Sequence, residues 1–373
     1  MIKMVSLRDV CDVIMGSAPL GESYVEIGAG IPLVAGAGDL GERNPSPTKA
    51  TTQPTQLSSE GDIILCIRAT IGDLNWSDKQ YCLGRGVAAL RPHKVQLAPK
   101  YLWHWMGRNS DQLVRSGRGS TFKQVGRRDI EDMSLALPPI EEQRRIAAIL
   151  DKADAICRKR QQTVLLSASL IRSSFLDVFG DPISNPKGWP KCSIMDVAHV
   201  TDGTHDTPKY VESGYPLLTS RNLKKDGLDF ESVQYISEDD HNKISVRSAV
   251  NRGDILFAMI GTIGNATIVE TDRLFSVKNV ALFKPNSKVC STYIWSVLRD
   301  NHYLSSVLGL RLGGNQPFVG LGTLRSLVIP VPPIALQKKY DQMISRISAL
   351  VQKQKKSLQE SENMFNSLQS ELF

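Results

Sequence analysis

The chain has 373 residues, 41% hydrophobic and 22% charged, a composition that suits two or three folded domains and excludes a disordered chain. No apolar run approaches the roughly 18 to 20 residues of a membrane crossing, and Arg8, Asp9 and Asp12 interrupt the N-terminus where a secretory signal needs an apolar stretch. Forty-five Lys and Arg against 38 Asp and Glu give +7, an excess that permits nucleic-acid binding without requiring it.

In chain order, the elements spell one unit twice. Gly16-Ser17-Ala18-Pro19 opens a loop, and Ile31-Pro32-Leu33 and Gly61-Asp62-Ile63-Ile64 lead into strands, the second predicted over 62–67 and followed by Ile71-Gly72. A strand over 87–91 and a helix over 100–107 come next. A glycine-rich loop over 116–126 then precedes the turn Leu137-Pro138-Pro139-Ile140. From Glu141 to about Phe179 no Gly or Pro occurs, and Ile146, Leu150, Ala153, Cys157, Arg160, Val164, Ser167, Ile171, Ser174 and Val178 recur at spacings of four and three. That period predicts a coiled-coil helix about 57 Å long. Gly180-Asp181-Pro182 and the loop over 185–190 stop it.

The second copy repeats the order. Gly203-Thr204 through Pro208, Tyr215-Pro216-Leu217, Gly253-Asp254-Ile255-Leu256 with Ile263-Gly264, and Val331-Pro332-Pro333-Ile334 match their counterparts. Strands are predicted over 254–260 and 279–283, a helix over 292–298 and a glycine-rich loop over 309–322. The last helix carries the same seam at Tyr340, Ile344, Ile347, Val351, Gln354, Leu358, Ser361, Phe365, Leu368 and Leu372. The polar interruptions coincide, Arg160 with Gln354 and Ser167 with Ser361, as in a register-fixing layer. The expected fold class is α/β: two α/β domains in an internal pseudo-two-fold repeat, separated by two long helices that form an antiparallel coiled coil.

Other chemistry is weakly signalled. Val25-Glu26-Ile27-Gly28-Ala29-Gly30 imitates a methyltransferase cofactor loop, but Pro32 follows at once and no Asn/Asp-Pro-Pro-aromatic motif accompanies it, so a plain loop is expected. There is no GxxxxGK[ST] phosphate loop. The six histidines show no metal-ligand spacing, and the six cysteines form no CxxC pair and read as reduced thiols. Asp62 and Asp254, each after a glycine at a strand start, are expected to cap turns.

The segment Leu137-Pro138-Pro139-Ile140-Glu141-Glu142-Gln143, its partner Pro330-Val331-Pro332-Pro333-Ile334-Ala335-Leu336-Gln337, the Gly-Asp-Ile strands and Thr201-Asp202-Gly203-Thr204-His205 together resemble the specificity subunit of a type I restriction–modification system. The second turn departs from the pattern, with Leu336 where an acid usually precedes Gln337. The resemblance implies a non-catalytic prokaryotic cytoplasmic protein. Its target-recognition domains span 1–137 and 181–331, and helical spacers span 138–180 and 332–373. Each domain reads half of a bipartite, asymmetric double-stranded DNA site. The helices set the spacing and dock two modification subunits that methylate adenine N6. No cofactor is expected in this chain: S-adenosylmethionine belongs to the modification subunits, and ATP and Mg to the complex that restriction subunits complete.

DNA contacts are expected from cations and amides near turns. In the first copy these are Arg43, Arg68, Arg85, Arg115, Arg118, Ser120, Thr121, Lys123 and Arg127. In the second they are Thr204, His205, Lys209, Arg221, Asn222, Lys224, Lys225, Arg311, Asn315 and Gln316. Partner docking and the helix seam are assigned to Pro139, Gln143, Ile146, Leu150, Val164 and Ile171, with Pro333, Gln337, Ile344, Ile347, Leu358 and Phe365 in the second helix. A self-sufficient methyltransferase and a coiled-coil protein-binding scaffold are the competing readings.

Overall fold

The computed structural model describes residues 3–118, 123–224, 227–261, 263–308 and 318–373. It divides into two compact units, Met1–Gln161 with Ser357–Phe373, and Gln162–Lys356.

The first unit contains strands β1 (Lys3–Ser6), β2 (Cys11–Met15), β3 (Tyr24–Glu26), β4 (Ile31–Val34), β5 (Lys49–Thr51), β6 (Ile63–Cys66), β7 (Leu74–Trp76), β8 (Cys82–Leu83), β9 (Val87–Pro92) and β10 (Ser134–Leu137). Helices α1 (Pro99–Arg108), α2 (Ser110–Ser116) and α3 (Arg127–Glu131) lie between β9 and β10, and α4 (Ile140–Phe179) begins here. One antiparallel sheet has the order β2-β9-β6-β7. A second, β3-β5-β4-β8, includes a parallel β4–β8 pair, and β1 and β10 form a ribbon.

Every residue of β6 is buried because both faces of the strand are covered, which explains its unbroken apolar run. Ile63 and Leu65 enter a core with Tyr101, Leu102 and Leu150, while Ile64 packs with Val34, Leu83 and Val87.

The second unit repeats the first strand for strand. It holds β11 (Lys191–Ser193), β12 (Ala198–Asp202), β13 (Tyr210–Val211), β14 (Tyr215–Leu218), β15 (Leu223–Lys224), β16 (Gly227–Leu228), β17 (Gln234–Ile236), β18 (Ile255–Ala258), β19 (Ala266–Ile268), β20 (Ser276–Val277), β21 (Val280–Pro285) and β22 (Val328–Pro330). Its helices are α5 (Glu238–Ser248), α6 (Ser291–Leu298), α7 (Asn301–Leu308), α8 (Leu321–Arg325) and α9 (Ile334–Leu372), the last running on into the first unit. The sheets β12-β21-β18-β19 and β13-β17-β14-β20 and the ribbon β11-β22 reproduce the first unit's order. The hairpin β15-β16 and helix α5 are additions.

Strands β6 and β18 begin one residue after their predicted starts. Asp62 and Asp254 sit in the turns before them, where their carboxylates accept the backbone N–H groups of Ser59 and Asn251, both at 2.7 Å. They cap turns, as expected.

All ten seam positions of each long helix are buried or half-buried. In the first unit, Arg160 donates to the Ser357 carbonyl at 2.5 Å and to the Ser361 hydroxyl. In the second, Ser167 donates to Gln354 Oε1 at 2.8 Å. In each unit the larger polar residue meets a serine.

No described helix is long and apolar enough to cross a membrane. The six cysteines are unpaired, and burial pushes the Cys11 thiol up to about 12.

Candidate nucleic-acid interface

In the first unit, four chain segments meet at one sheet edge. Gly16 N–H donates to the Val87 carbonyl at 3.0 Å and Ser17 N–H to Leu83 at 2.9 Å, fastening the loop after β2 to the tip between β8 and β9. A Cβ on Gly16 would lie 2.1 Å from the Gly84 carbonyl oxygen, so only glycine permits this approach. Ile67 N–H reaches Gly86 at 2.9 Å, and Val125 N–H reaches Ile67 at 3.1 Å, adding the glycine-rich loop. Arg118 and Gln124 exchange both backbone bonds, at 3.0 and 2.9 Å, which makes the described stem of that loop a hairpin.

This edge collects cations. Arg68 grips Gln124 Oε1 through Nε and Nη2 at 2.9 and 2.6 Å, beside exposed Arg85, Lys123 and Arg118, the last 88% exposed. Arg115 on α2 and Arg127 on α3 are exposed nearby, Arg127 lying 3.4 Å from Glu131. Ser120 and Thr121 lie outside the described residues. Arg43 is elsewhere. It sits over the Trp103 ring and 3.9 Å from Asp154, so it is a packing residue of α4's surroundings and not part of this edge.

The second unit builds the same edge with different side chains. Gly203 N–H donates to Val280 and Thr204 N–H to Val277, both at 3.0 Å, and a Cβ on Gly203 would fall 2.0 Å from the Val277 oxygen. Val319 N–H reaches Met259 at 3.0 Å, matching the Val125–Ile67 bond. His205, Lys209 and Arg221 are exposed, Thr204 is half-buried, and Lys224 lies 3.6 Å from Asp229. Lys225, Arg311, Asn315 and Gln316 fall outside the described residues.

Asn222, expected at the DNA, is not on the exposed edge. It is 4% exposed, its Oδ1 accepts from Thr219 N–H and Oγ1 at 2.9 and 3.0 Å, and its Nδ2 bonds Ser232 and Asp229 carbonyls. The amide closes a turn. The two edges also hold Gln124, Arg247, Lys278 and Asn279, which the sequence did not single out. The last two occupy the tip where the first unit has Gly84-Arg85-Gly86, so the repeat held a signal for them; Arg247, on the added helix α5, had none.

The Pro-Pro turns have a structural reason. Gln143 is fully buried; its Oε1 accepts Ala98 N–H at 2.8 Å, and its Nε2 donates to the Gln96 and Pro138 carbonyls at 2.9 Å. Gln337 does the same with Cys290 N–H at 2.9 Å and the Pro332 carbonyl at 2.7 Å. Ala98 and Cys290 are the N-cap residues of α1 and α6, so each glutamine ties the first turn of a long helix to the start of a domain helix.

Pro139 and Pro333 are exposed beside these amides. Ile146, Leu150 and Ile344 are buried, and Val164, Ile171, Ile347, Leu358 and Phe365 are half-buried along the seam. Nearby, burial lowers the His104 imidazole's pKa despite its 2.8 Å bond to Asp151. Burial would raise Asp151, but bonds from Lys100 and His104 outweigh it and hold the carboxyl below its ordinary range.

The imitation of a cofactor loop at Gly28 and Gly30 is a turn between β3 and β4, and the element that follows is a strand, not a helix that could hold a cofactor phosphate or carboxylate. Among the described residues no group of three or more His, Cys, Asp or Glu is placed to hold a metal ion.

A family model described as the type I restriction modification DNA specificity domain matches residues 2–166 and 186–361. The chain belongs to this family. A candidate specificity subunit for restriction enzyme MjaX of Methanocaldococcus jannaschii is 30% identical over 155 residues, which is 41% of this chain and 36% of that protein. The MjaIX specificity subunit of the same organism is 22% identical across 91% of this chain and 84% of its own length. The solved S subunit of a type I restriction–modification system from M. genitalium has the same fold, with a TM-score of 0.60 over 100% of this chain and 96% of that one at 16% identity. Sequence specificity toward DNA is therefore the family's role, and the expected α/β repeat with long helices is observed.

Proposed function

We propose that this chain is the DNA-reading subunit of a type I restriction–modification enzyme, each unit reading one half of a bipartite, asymmetric site. One observation carries the reading. The two units share sheet order, turn-capping aspartates, close-approach glycines and helix-entry glutamines, yet differ at the edge where cations and amides gather. The tip of that edge is Gly84-Arg85-Gly86 in the first unit and Lys278-Asn279 in the second.

A constant frame bearing two different sets of donors suits a protein that reads two different sequences through one mode of docking. Lysines and arginines around each edge supply phosphate contacts that fix register, and the residues at the tips reach base edges. The long helices set the unspecified gap and dock two modification subunits. Methyl transfer from S-adenosylmethionine to adenine N6 belongs to those subunits, and ATP- and Mg-dependent translocation and cleavage to restriction subunits. The test is a mobility-shift assay on mixed-sequence duplex DNA, with and without added modification subunit, at two salt concentrations. Binding that weakens steeply with salt supports the reading. Salt-insensitive or absent binding in both conditions contradicts it and favours a protein-binding scaffold.

A further inference from the structure

The second unit holds one half-buried amide, that of Asn279, in place through a chain of polar contacts. Asp202, the last residue of β12, is 4% exposed, and its carboxylate accepts from Arg247, whose Nη2 also reaches the Gly203 carbonyl at 2.8 Å. His205 bridges outward: Nε2 lies 2.8 Å from Asp202 Oδ2 and Nδ1 lies 3.0 Å from Asn279 Oδ1. Asn279 has φ +54°, and its backbone N–H donates to the Thr204 carbonyl at 3.1 Å. In the first unit, Met15 pairs with Ala88 as Asp202 pairs with Ala281, and Ala18 follows where His205 stands, so the same chain of contacts cannot form.

Burying a carboxylate and holding a non-glycine residue at positive φ both cost stability. Neither adds to a core here. What they achieve is a fixed orientation for one amide at the edge that carries the unit's donors. The Asn279 carbonyl oxygen keeps a second lone pair, and its Nδ2 keeps N–H groups, a donor–acceptor pair that matches N7 and N6–H of adenine in the major groove. We propose that Asn279 reads an adenine in the second unit's half-site, with His205, Asp202 and Arg247 as its positioning residues. This rests on the DNA-reading function proposed above.

The test is selection of bound duplexes from a randomised library by the full chain with its modification subunits, followed by sequencing. Asn279→Gly suits the left-handed backbone and removes only the amide. It is expected to lose preference at one A·T pair by about 5- to 150-fold while every other specified position persists. His205→Ala is expected to lower the same preference, and His205→Gln to restore part of it, as a residue that orients the Asn279 amide requires. Unchanged preferences in Asn279→Gly, equal weakening on all sequences, or loss of the whole half-site would each overturn the assignment of Asn279. A wild-type protein that selects no sequence would overturn the DNA-reading function as well.

Discussion

Gln143, itself fully buried, accepts the backbone N–H of Ala98 on its side-chain oxygen at 2.8 Å. The bond joins the first turn of α4 to the N-terminus of α1, where helical N–H groups lack partners of their own. Gln337 repeats it with Cys290, so the glutamine after each Pro-Pro turn is a staple between helix and domain.

Removing this staple leaves one donor and two acceptors without partners. Gln143→Ala is expected to destabilise the first unit by about 2–4 kcal/mol. Urea denaturation of wild type and variant measures it, and a loss below about 0.5 kcal/mol would mean the amide's partners find other bonds.

Gly203→Ala addresses the reading edge. The added methyl would sit 2.0 Å from the Val277 carbonyl oxygen, which belongs to the backbone and cannot swing aside. The loop after β12 must move away from the tip, so DNA binding should weaken at the second half-site while Gly21→Ala, with open space around it, changes nothing. Equal behaviour of the two variants in a binding assay would contradict the close-approach argument.

Acid should weaken the fold. Burial holds the imidazoles of His104 and His241 below their ordinary value of 6.5, so the unfolded chain binds protons that the folded chain refuses. Their contribution is complete above 6.5 and is lost as pH falls from there toward the folded values. Asp151, held below 3.8, acts in the same direction at lower pH. Stability measured by denaturation should drop as pH falls through 6.5, and His104→Gln with His241→Gln should flatten that drop. An undiminished pH slope in the double variant would count against it.

The frame was legible because its parts are written twice at matching positions: Gly-Asp before a buried strand, Gly before a tight crossing, Gln after Pro-Pro. The readers were less legible. Asn222 looks like any exposed amide in a loop, yet its bonds close the turn over Asp229 and Ser232. Arg43 looks like any turn cation, yet it packs on Trp103. Asp202, Arg247 and Asn279 meet only through the crossing of β12, α5 and the β20–β21 tip, a juxtaposition that no linear spacing encodes.

The cations of the first edge should act by charge. Arg118→Ala and Lys123→Ala are each expected to reduce the slope of log affinity against log salt by about one and to weaken matched and mismatched duplexes alike. Titration at several salt concentrations reads both quantities. A loss confined to one sequence would make these residues base readers.

The proposed function requires two differently decorated copies of one frame to read two separate sequences. Its most direct measurement is the set of positions specified in DNA selected from a randomised library by the full chain with its modification subunits. Two short specified runs of different sequence, separated by a gap of fixed length with no preference, are expected. One continuous run, two identical runs, or no specified positions would contradict it.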